Sequence, residues 1–191
     1  MKYLQAAGFH VISFGDLERY LDRGIPLPPQ PVILSFDDGW EDQLTYALPI
    51  LQKYRYTATF FIVTNYVGLR DFLSWSQLRQ LYLAGMIIGS HSRSHPFLDR
   101  ITNPNLLESE IVESKLTIEQ HLGSSVNEFA YPYGAYNQAI IAMVEKAGYR
   151  AARADYPGVW HSNNDRYFLS AVTAPADVTA FEKRLPTARD R

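Results

Sequence analysis

The sequence predicts an α/β fold in which helices alternate with parallel strands around one core. Apolar runs of strand length alternate with helical repeats along most of the chain. Three of the predicted helices are followed by a glycine that can end them, at Gly85, Gly123 and Gly148. Such regular alternation is typical of a parallel sheet, either open or closed as a barrel. The 191 residues match the size of one domain.

The predicted elements follow in order along the chain. Helices are predicted at the start of the chain up to Gly8 and at 16–23, 41–54, 74–84, 105–122 and 137–147, and strands at 10–12, 31–36, 58–63, 86–89, 128–131 and 149–152. We expect Gly15 or Asp16 to cap the second helix and Pro49 to kink the third. The helix at 105–122 is expected at the surface, and the last fifth of the chain has no clear pattern.

Composition and charge exclude several classes of protein. The 18 Lys and Arg against 20 Asp and Glu give a formal net charge of -2, without the basic excess of a nucleic-acid-binding protein. Because the chain has no cysteine, it has no disulfides and no thiolate zinc site, and a metal would be held by His, Asp or Glu. No apolar run approaches the ~20 residues of a transmembrane helix, and the first residues lack the pattern of a signal peptide.

Polar residues that follow buried strands are the first candidates for chemistry, because ligand sites in such folds lie at the carboxyl ends of the strands. The predicted strand at 31–36 ends in SFDDG, which places Asp37 and Asp38 side by side before a glycine. Taken alone, this pattern fits a turn or a helix cap equally well.

A second strand end carries two of the five histidines. The segment SHSRSHP at 90–96 spaces His91 and His95 four residues apart, so a helical turn would bring both imidazoles to one point. A single pair of this kind is weak evidence, since surface histidines are common. One carboxylate and two imidazoles, however, make a ligand set that leaves a fourth zinc position open for water. The two motifs together therefore predict a catalytic metal centre.

A third strand end, FAYPYG at 129–134, is aromatic and is turned by Pro and Gly. SFDDG, SHSRSHP and FAYPYG, in this order, resemble the first three motifs of the polysaccharide deacetylase family, the family 4 carbohydrate esterases that share the NodB homology domain. FAYPYG and the lead-in GFHVISFGDLERYL are most similar to the poly-N-acetylglucosamine deacetylase branch. The resemblance implies a distorted (β/α)7-type barrel. We expect residues 1–191 to form a single such domain that lacks its first strand.

The resemblance also implies a role for each motif residue. It makes Asp37 the general base and the backbone N–H of Tyr133 a donor to the oxyanion. It makes three residues the ligands of Zn2+, or of another divalent metal such as Co2+ or Ni2+: Asp38, His91 and His95. The implied activity is that of a polysaccharide N-deacetylase, a hydrolase of carbon–nitrogen bonds other than peptide bonds. Its products are acetate and a free amine on N-acetylglucosamine-containing polysaccharide.

Residues that would bind the sugar are expected at or after the strand ends. The candidates are Trp40, Tyr131, Pro132 and Trp160. Each of the three aromatic rings among them fits ordinary core packing as well. A polysaccharide is thus the expected partner and a nucleic acid is not. The substrate class indicates a cell-envelope or secreted protein, and a monomer is favoured.

Two positions depart from the family pattern. Ala130 stands where many members carry an Arg that holds the base, and the region after Asp155 lacks the His that protonates the leaving amine. His161 is the nearest candidate for that acid, but a surface role fits it better, while His10 and His121 fit structural roles. Two alternatives therefore stay open. One is a carbohydrate-binding relic without turnover, and the other is an O-acetyl polysaccharide esterase, whose leaving group needs less protonation.

Overall fold

The computed structural model describes residues 1–156, 158 and 161–185. Its helices are α1 Lys2–Ala6, α2 Phe14–Arg23, α3 Leu48–Tyr54, α4 Trp75–Leu83, α5 Pro104–Glu108, α6 Ser114–Leu122, α7 Gln138–Lys146 and α8 Val178–Arg184. Its strands are β1 His10–Ile12, β2 Pro31–Ile33, β3 Ser35–Phe36, β4 Thr59–Ile62, β5 Ile87–Ser90, β6 Glu128–Ala130 and β7 Ala151–Arg153. Among the described residues, no helix combines the length and the apolar character needed to cross a membrane.

The strands form two parallel sheets, one of β1 and β2 and one of β3 to β7 in chain order. The single strand predicted at 31–36 is therefore two strands. They part at Leu34, where the chain leaves its pairing with β1 and begins to pair with β4. The Leu34 carbonyl already accepts the Thr59 N–H at 2.9 Å. At Leu34 the chain thus changes its partner strand while the Leu34 carbonyl keeps a backbone hydrogen bond.

The five-stranded sheet is strongly curled. β3 and β7 are the first and last strands of the row, yet the Asp37 carboxylate after β3 lies 2.6 Å from the Arg153 guanidinium at the end of β7. Only a sheet that bends around an interior can bring its outer strands this close. The predicted parallel α/β fold with a distorted barrel is confirmed.

The two faces of the sheet pack against different partners. In β4, Phe60 and Ile62 belong to the large core between the sheet and the surrounding helices, whereas Phe61 points inside the curl. There it meets Phe14 of α2, with ring centroids 5.9 Å apart. The neighbouring strand leaves space for this ring at Gly89, where a Cβ atom would lie 2.6 Å from Phe61 Cδ1. Helix α2 therefore fills the interior of the curled sheet.

The start of α2 corrects one prediction. Neither Gly15 nor Asp16 is the cap, because Ser13 accepts the Asp16 N–H while the Asp16 carboxylate accepts the Ser13 N–H at 2.8 Å. This reciprocal capping box starts the helix at Phe14, two residues earlier than a cap at Gly15 would. Gly24, in a left-handed conformation, ends it.

Two predicted helices are interrupted by π-helical turns. Gln43–Ala47 precedes α3, and Ser109–Glu113 separates α5 from α6. Pro49 lies in the first turn of α3, directly after the π-helical turn, so the predicted defect falls where the helix changes its hydrogen-bonding pattern. The helical segment at 105–122 is only partly at the surface, since Leu107, Ile111 and Ile118 are buried and Leu116 alone of its predicted apolar stripe is exposed.

Candidate active site

The two carboxylates of the SFDDG motif lie in a tight turn after β3. Asp38 and Gly39 have left-handed backbone angles, with φ of 71° and 82°. The Gly39 N–H donates to the Asp37 carbonyl at 2.9 Å, and the Gln43 side-chain amide donates to the same oxygen at 2.6 Å. Gln43 is itself buried. The turn is thus held from the following π-helical segment, and its two carboxylates have different partners.

The segment from His91 to His95, hereafter the histidine loop, follows β5. It does not form the helical turn that would have brought the two imidazoles together, because Ser92 and His95 have left-handed φ angles of 68° and 61°. The loop folds back on itself, and the Ser92 hydroxyl accepts the His95 N–H at 3.0 Å. Ser90 and Ser92 are fully buried. A tight reversal of the backbone, and not the spacing of a helix, brings the two imidazoles together.

The orientation of the His91 ring follows from its surroundings. Nδ1 lies 2.7 Å from the Ala130 carbonyl oxygen, which can only accept, so Nδ1 carries the proton and Nε2 has the lone pair. Burial holds the pKa of His91 below its usual value, although the Asp37 carboxylate acts in the opposite direction. The ring is therefore neutral at neutral pH and presents an unprotonated Nε2 to the site.

Asp38, His91 and His95 converge on one point. Asp38 Oδ1 lies 3.4 Å from His95 Nε2 and 3.7 Å from His91 Nε2, and the two Nε2 atoms are 3.2 Å apart. Ligands at the usual 2.0–2.2 Å from a tetrahedral zinc ion are separated by roughly 3.3 Å. All three ligand atoms lie within 4.8 Å of one another. The donor set and its spacing thus fit a divalent metal with one open position.

Asp37 pairs with a cation, Arg153. Both of its carboxylate oxygens accept from Arg153 Nη2 at 2.6 Å. Arg153 is buried, with its guanidinium 5.4 Å from the centre of the Phe61 ring, whereas the Asp37 side chain is 38% exposed. Arg153 also contacts the Asp155 carboxylate at 3.4 Å. Asp37 is thereby fixed in position while it stays open to water.

Sequence reasoning missed Arg153 and regarded Ala130 as a loss. The structure pairs these two residues directly across β6 and β7, so their side chains point to the same face of the sheet. Ala130 is small and buried, which leaves space for the longer arginine beside it. A signal was available, because Arg153 is the polar residue that follows the apolar strand predicted at 149–152.

Two exposed aromatic residues border the metal-ligand set. The Trp40 indole N–H donates to Asp38 Oδ2 at 3.2 Å, which turns Oδ1 toward the histidines, and its ring stacks on Phe72. On the other side, Tyr133 packs edge-on against His95 and stacks on Phe97 at 4.0 Å. Tyr133 has a left-handed φ of 58°, as an unusual turn after β6 requires. The site is therefore a polar centre between two aromatic surfaces.

The remaining substrate-binding candidates lie elsewhere. Tyr131 is 2% exposed, and its hydroxyl donates to the Tyr167 carbonyl at 2.7 Å. Pro132 is buried as well. These two predictions are corrected, because a ring inside the core cannot stack on a sugar. Trp160 lies outside the described residues.

The other histidines have their own partners. His161 Nδ1 lies 3.0 Å from the Asp165 carboxylate, His10 Nδ1 lies 2.7 Å from the Pro29 carbonyl, and the His121 ring stacks on Trp75. Each of these contacts is structural, in agreement with the sequence interpretation of His10 and His121. None of the three histidines contacts Asp37 or Asp38. Among the described residues, no histidine is therefore identified as the acid that would protonate the leaving amine.

Comparison with known proteins places these motifs in context. The model of the family described as polysaccharide deacetylase matches residues 24–152. Putative polysaccharide deacetylase YxkH of Bacillus subtilis is 28% identical over 172 residues, which are 90% of this chain and 61% of the relative. The poly-beta-1,6-N-acetyl-D-glucosamine N-deacetylase of Staphylococcus aureus is 25% identical over 95% of this chain and 66% of its own length. The chain thus spans less than two thirds of the length of each of these relatives.

Solved structures share the fold. The Streptococcus pyogenes deacetylase PplD, determined in complex with acetate, superposes with a TM-score of 0.84 at 25% identity and covers 90% of this chain and 76% of its own. IcaB from Ammonifex degensii superposes with a TM-score of 0.86 at 24% identity over 95% of this chain and 83% of its own. The curled parallel sheet is therefore a fold that deacetylases use.

Proposed function

Because the chain belongs to the polysaccharide deacetylase family, we propose that it is a metal-dependent hydrolase that removes acetyl groups from N-acetylglucosamine units of a polysaccharide. The observation that carries this proposal is the pairing of two neighbouring carboxylates with different surroundings. Asp38 faces two imidazoles, and Asp37 faces a guanidinium. One carboxylate is thus suited to bind a metal and the other to accept a proton.

The proposed roles follow from these surroundings. A divalent cation held by Asp38, His91 and His95 would polarise the acetyl carbonyl and make a water molecule more acidic. Asp37 would accept the proton of the attacking water, because its carboxylate is accessible and Arg153 prevents it from rotating away. Proton acceptance by a positioned carboxylate contributes about 10²–10⁴-fold to such reactions.

The oxyanion and the leaving group need further contacts. We propose that the backbone N–H of Tyr133 donates to the oxyanion, since the Tyr133 ring already packs against the ligand His95 at 4.5 Å. Cleavage of the carbon–nitrogen bond then releases acetate, and the amine nitrogen gains the proton that Asp37 accepted from the attacking water. The exposed Trp40 and Tyr133 rings would bind the faces of the sugar on either side of the site. A polysaccharide substrate of this kind implies an envelope or secreted protein.

The experiment measures acetate release from an N-acetylglucosamine oligomer by protein loaded with Zn2+ or Co2+. We expect a chelator to abolish the release and added metal to restore it. D37N should lose at least about 10²-fold in kcat and keep its metal. H95A should lose the metal itself, because one of three ligands is gone. D99N, which changes an exposed carboxylate outside the site, is the control and should keep full activity.

Different failures would have different meanings. Wild-type protein that binds no divalent metal at micromolar concentration would contradict the proposal. Binding of the oligomer with no acetate release from the metal-loaded protein would identify a carbohydrate-binding relic. Release from an acetylated xylan, with none from the N-acetyl oligomer, would identify an O-acetyl esterase.

A further inference from the structure

The π-helical segment Ser109–Glu113 packs directly against the histidine loop. It lies between α5 and α6 and follows the histidine loop along the chain. A π-helical turn is wider than an α-helical turn, and such turns occur often at functional sites. The contacts of this segment show what the irregularity achieves here.

Glu110, the second residue of the segment, holds the centre of the histidine loop. It is only 4% exposed, and its carboxylate accepts three hydrogen bonds from the two residues before His95. The Arg93 N–H donates at 3.0 Å, the Ser94 N–H at 2.8 Å and the Ser94 hydroxyl at 2.6 Å. Charge-assisted bonds of this kind are stronger than neutral ones. A buried carboxylate is thus stabilised entirely by the loop that it holds.

The same segment also anchors the strand end that precedes the loop. The Ile111 carbonyl accepts from the Ser114 hydroxyl at 3.1 Å and from the Tyr149 hydroxyl at 3.0 Å. The Ser114 hydroxyl in turn lies 2.8 Å from the Ser90 hydroxyl, one residue before His91. Both sides of the histidine loop are therefore fastened to one turn of helix.

The loop needs such external support. Ser92 and His95 both have left-handed backbone angles without being glycine, a conformation that costs on the order of 1 kcal/mol or more per residue. The described contacts within the loop are few, chiefly the bond from the His95 N–H to Ser92. Strained residues of this kind persist only where their surroundings hold them.

We infer that Glu110 is a positioning residue for the metal centre. It fixes the backbone at Arg93 and Ser94 so that His95 Nε2 lies beside His91 Nε2 and Asp38 before any metal binds. This inference rests on the proposed function, because it assumes that the three residues hold a metal. Glu110 acts through the loop and touches none of the three ligand atoms.

The test compares Zn2+ affinity of the metal-free wild type and E110Q by calorimetric titration. Glutamine keeps the shape of the side chain, but it removes the negative charge and one acceptor oxygen, and its NH2 group must face either the two N–H donors or the Ser94 hydroxyl. We expect Zn2+ to bind about 10- to 100-fold more weakly, the usual effect of losing a group that orients a metal ligand. We also expect a changed Co2+ absorption spectrum and an unchanged far-UV circular dichroism spectrum of the metal-free protein.

E113Q is the matched control. Glu113 lies three residues further along the same segment and contacts only side chains, those of Arg93 and Ser109. We expect its Zn2+ affinity to stay within about twofold of wild type, since the loop backbone keeps its three bonds. S94A removes only the hydroxyl donor to Glu110 and should weaken Zn2+ binding several-fold, which keeps the test decisive if E110Q does not fold.

Wild-type affinity in a folded E110Q would overturn the inference and leave the proposed function intact. If E110Q does not fold, wild-type affinity in S94A would overturn it. A wild-type protein that binds no Zn2+ would instead overturn the metal centre itself. A loss of affinity in E113Q equal to that in E110Q would also overturn the inference, because it would show that any change in this segment has the same effect.

Discussion

Arg153 and Asp37 are 116 positions apart in the sequence, yet one guanidinium nitrogen bonds both carboxylate oxygens. The arginine is supported by the face of Phe61 on one side and by the Asp155 carboxylate on the other. The carboxylate therefore meets a cation that is itself fixed. This arrangement orients the proposed proton acceptor without burying it.

The first prediction concerns this pair. R153M keeps an apolar contact with Phe61 and removes the charge, so Asp37 becomes free to rotate. We expect kcat for acetate release to fall by about 10²-fold with KM and Zn2+ affinity unchanged, because misplacement of a reacting group by 1 Å costs about this much. Steady-state kinetics and a Zn2+ titration measure the three quantities.

A swap of positions provides the control for R153M. Ala130 lies directly opposite Arg153 in the sheet, so the double variant A130R/R153A moves the guanidinium one strand along toward the same carboxylate. We expect it to recover part of the lost kcat, which a general loss of packing would not allow. An R153M protein with wild-type kcat would show that Asp37 needs no anchor.

At the level of single residues, the motif patterns identified the groups with the most distinctive chemistry. Asp37, Asp38, His91 and His95 were found because carboxylates and imidazoles at strand ends are unusual. Glu110 could not be found in this way, since a glutamate in a helix rich in charge is the ordinary case. Its burial depends on the width of a π-helical turn, which the hydrophobic period does not reveal.

At the scale of elements, both π-helical segments direct a buried polar side chain at a loop of the site. Gln43 begins the first segment and donates to the Asp37 carbonyl, and Glu110 in the second accepts from the histidine loop. The apolar spacing predicted both helical regions, because the apolar stripe of each helix continues through the wider turn. The turns themselves were missed, since one extra residue per turn changes the phase only locally.

A second pair of elements, α2 and β6, brings two carboxylates together inside the protein. Glu18 of α2 is 4% exposed and accepts from Arg150 at 2.8 Å. Glu128 at the start of β6 is 5% exposed. Burial, with a smaller contribution from the charge of Glu18, raises the pKa of Glu128 to about 7. Burial also raises the pKa of Glu18.

The pH dependence of stability follows from the raised pKa of Glu128. The folded protein binds its proton more tightly than the unfolded chain does, so folding is favoured below the ordinary carboxyl pKa of 4.5. This advantage is lost as the pH rises from about 4.5 through about 7. We predict that E128Q raises the free energy of unfolding more at pH 8 than at pH 5, by up to about 3 kcal/mol.

Urea denaturation of wild type and E128Q at the two pH values measures this difference. E108Q, which alters an exposed carboxylate of α5, should show the same change at both. An equal effect of E128Q at pH 5 and pH 8 would mean that Glu128 titrates as an ordinary exposed carboxyl group does.

At the scale of the whole molecule, the metal-ligand set links separate parts of the sheet. Asp38 follows β3 and the histidines follow β5, with β4 between them. Binding of Zn2+ at this site would therefore favour the state in which all three strands are docked. At a free Zn2+ concentration 100 times the dissociation constant, the gain is about 2.7 kcal/mol.

We predict that Zn2+ at this concentration raises the Tm by about 5–10 °C and that a chelator reverses the rise. D37N should show the same increase as wild type, because it keeps all three ligands. H95A should show little or none. Thermal denaturation followed by circular dichroism is sufficient, and an equal rise in H95A would locate the bound metal elsewhere.

The curl of the sheet has a consequence for solubility. An outer strand with free N–H and C=O groups is a template on which another chain can add and begin an aggregate. Here β3 is only two residues long, and β7 is covered by the segment around Leu169, which exchanges backbone hydrogen bonds of 2.8 Å with Ala152 and Ala154. The ion pair between Asp37 and Arg153 draws these two edges together. The contact that orients the proposed proton acceptor therefore also protects the sheet against intermolecular β-pairing.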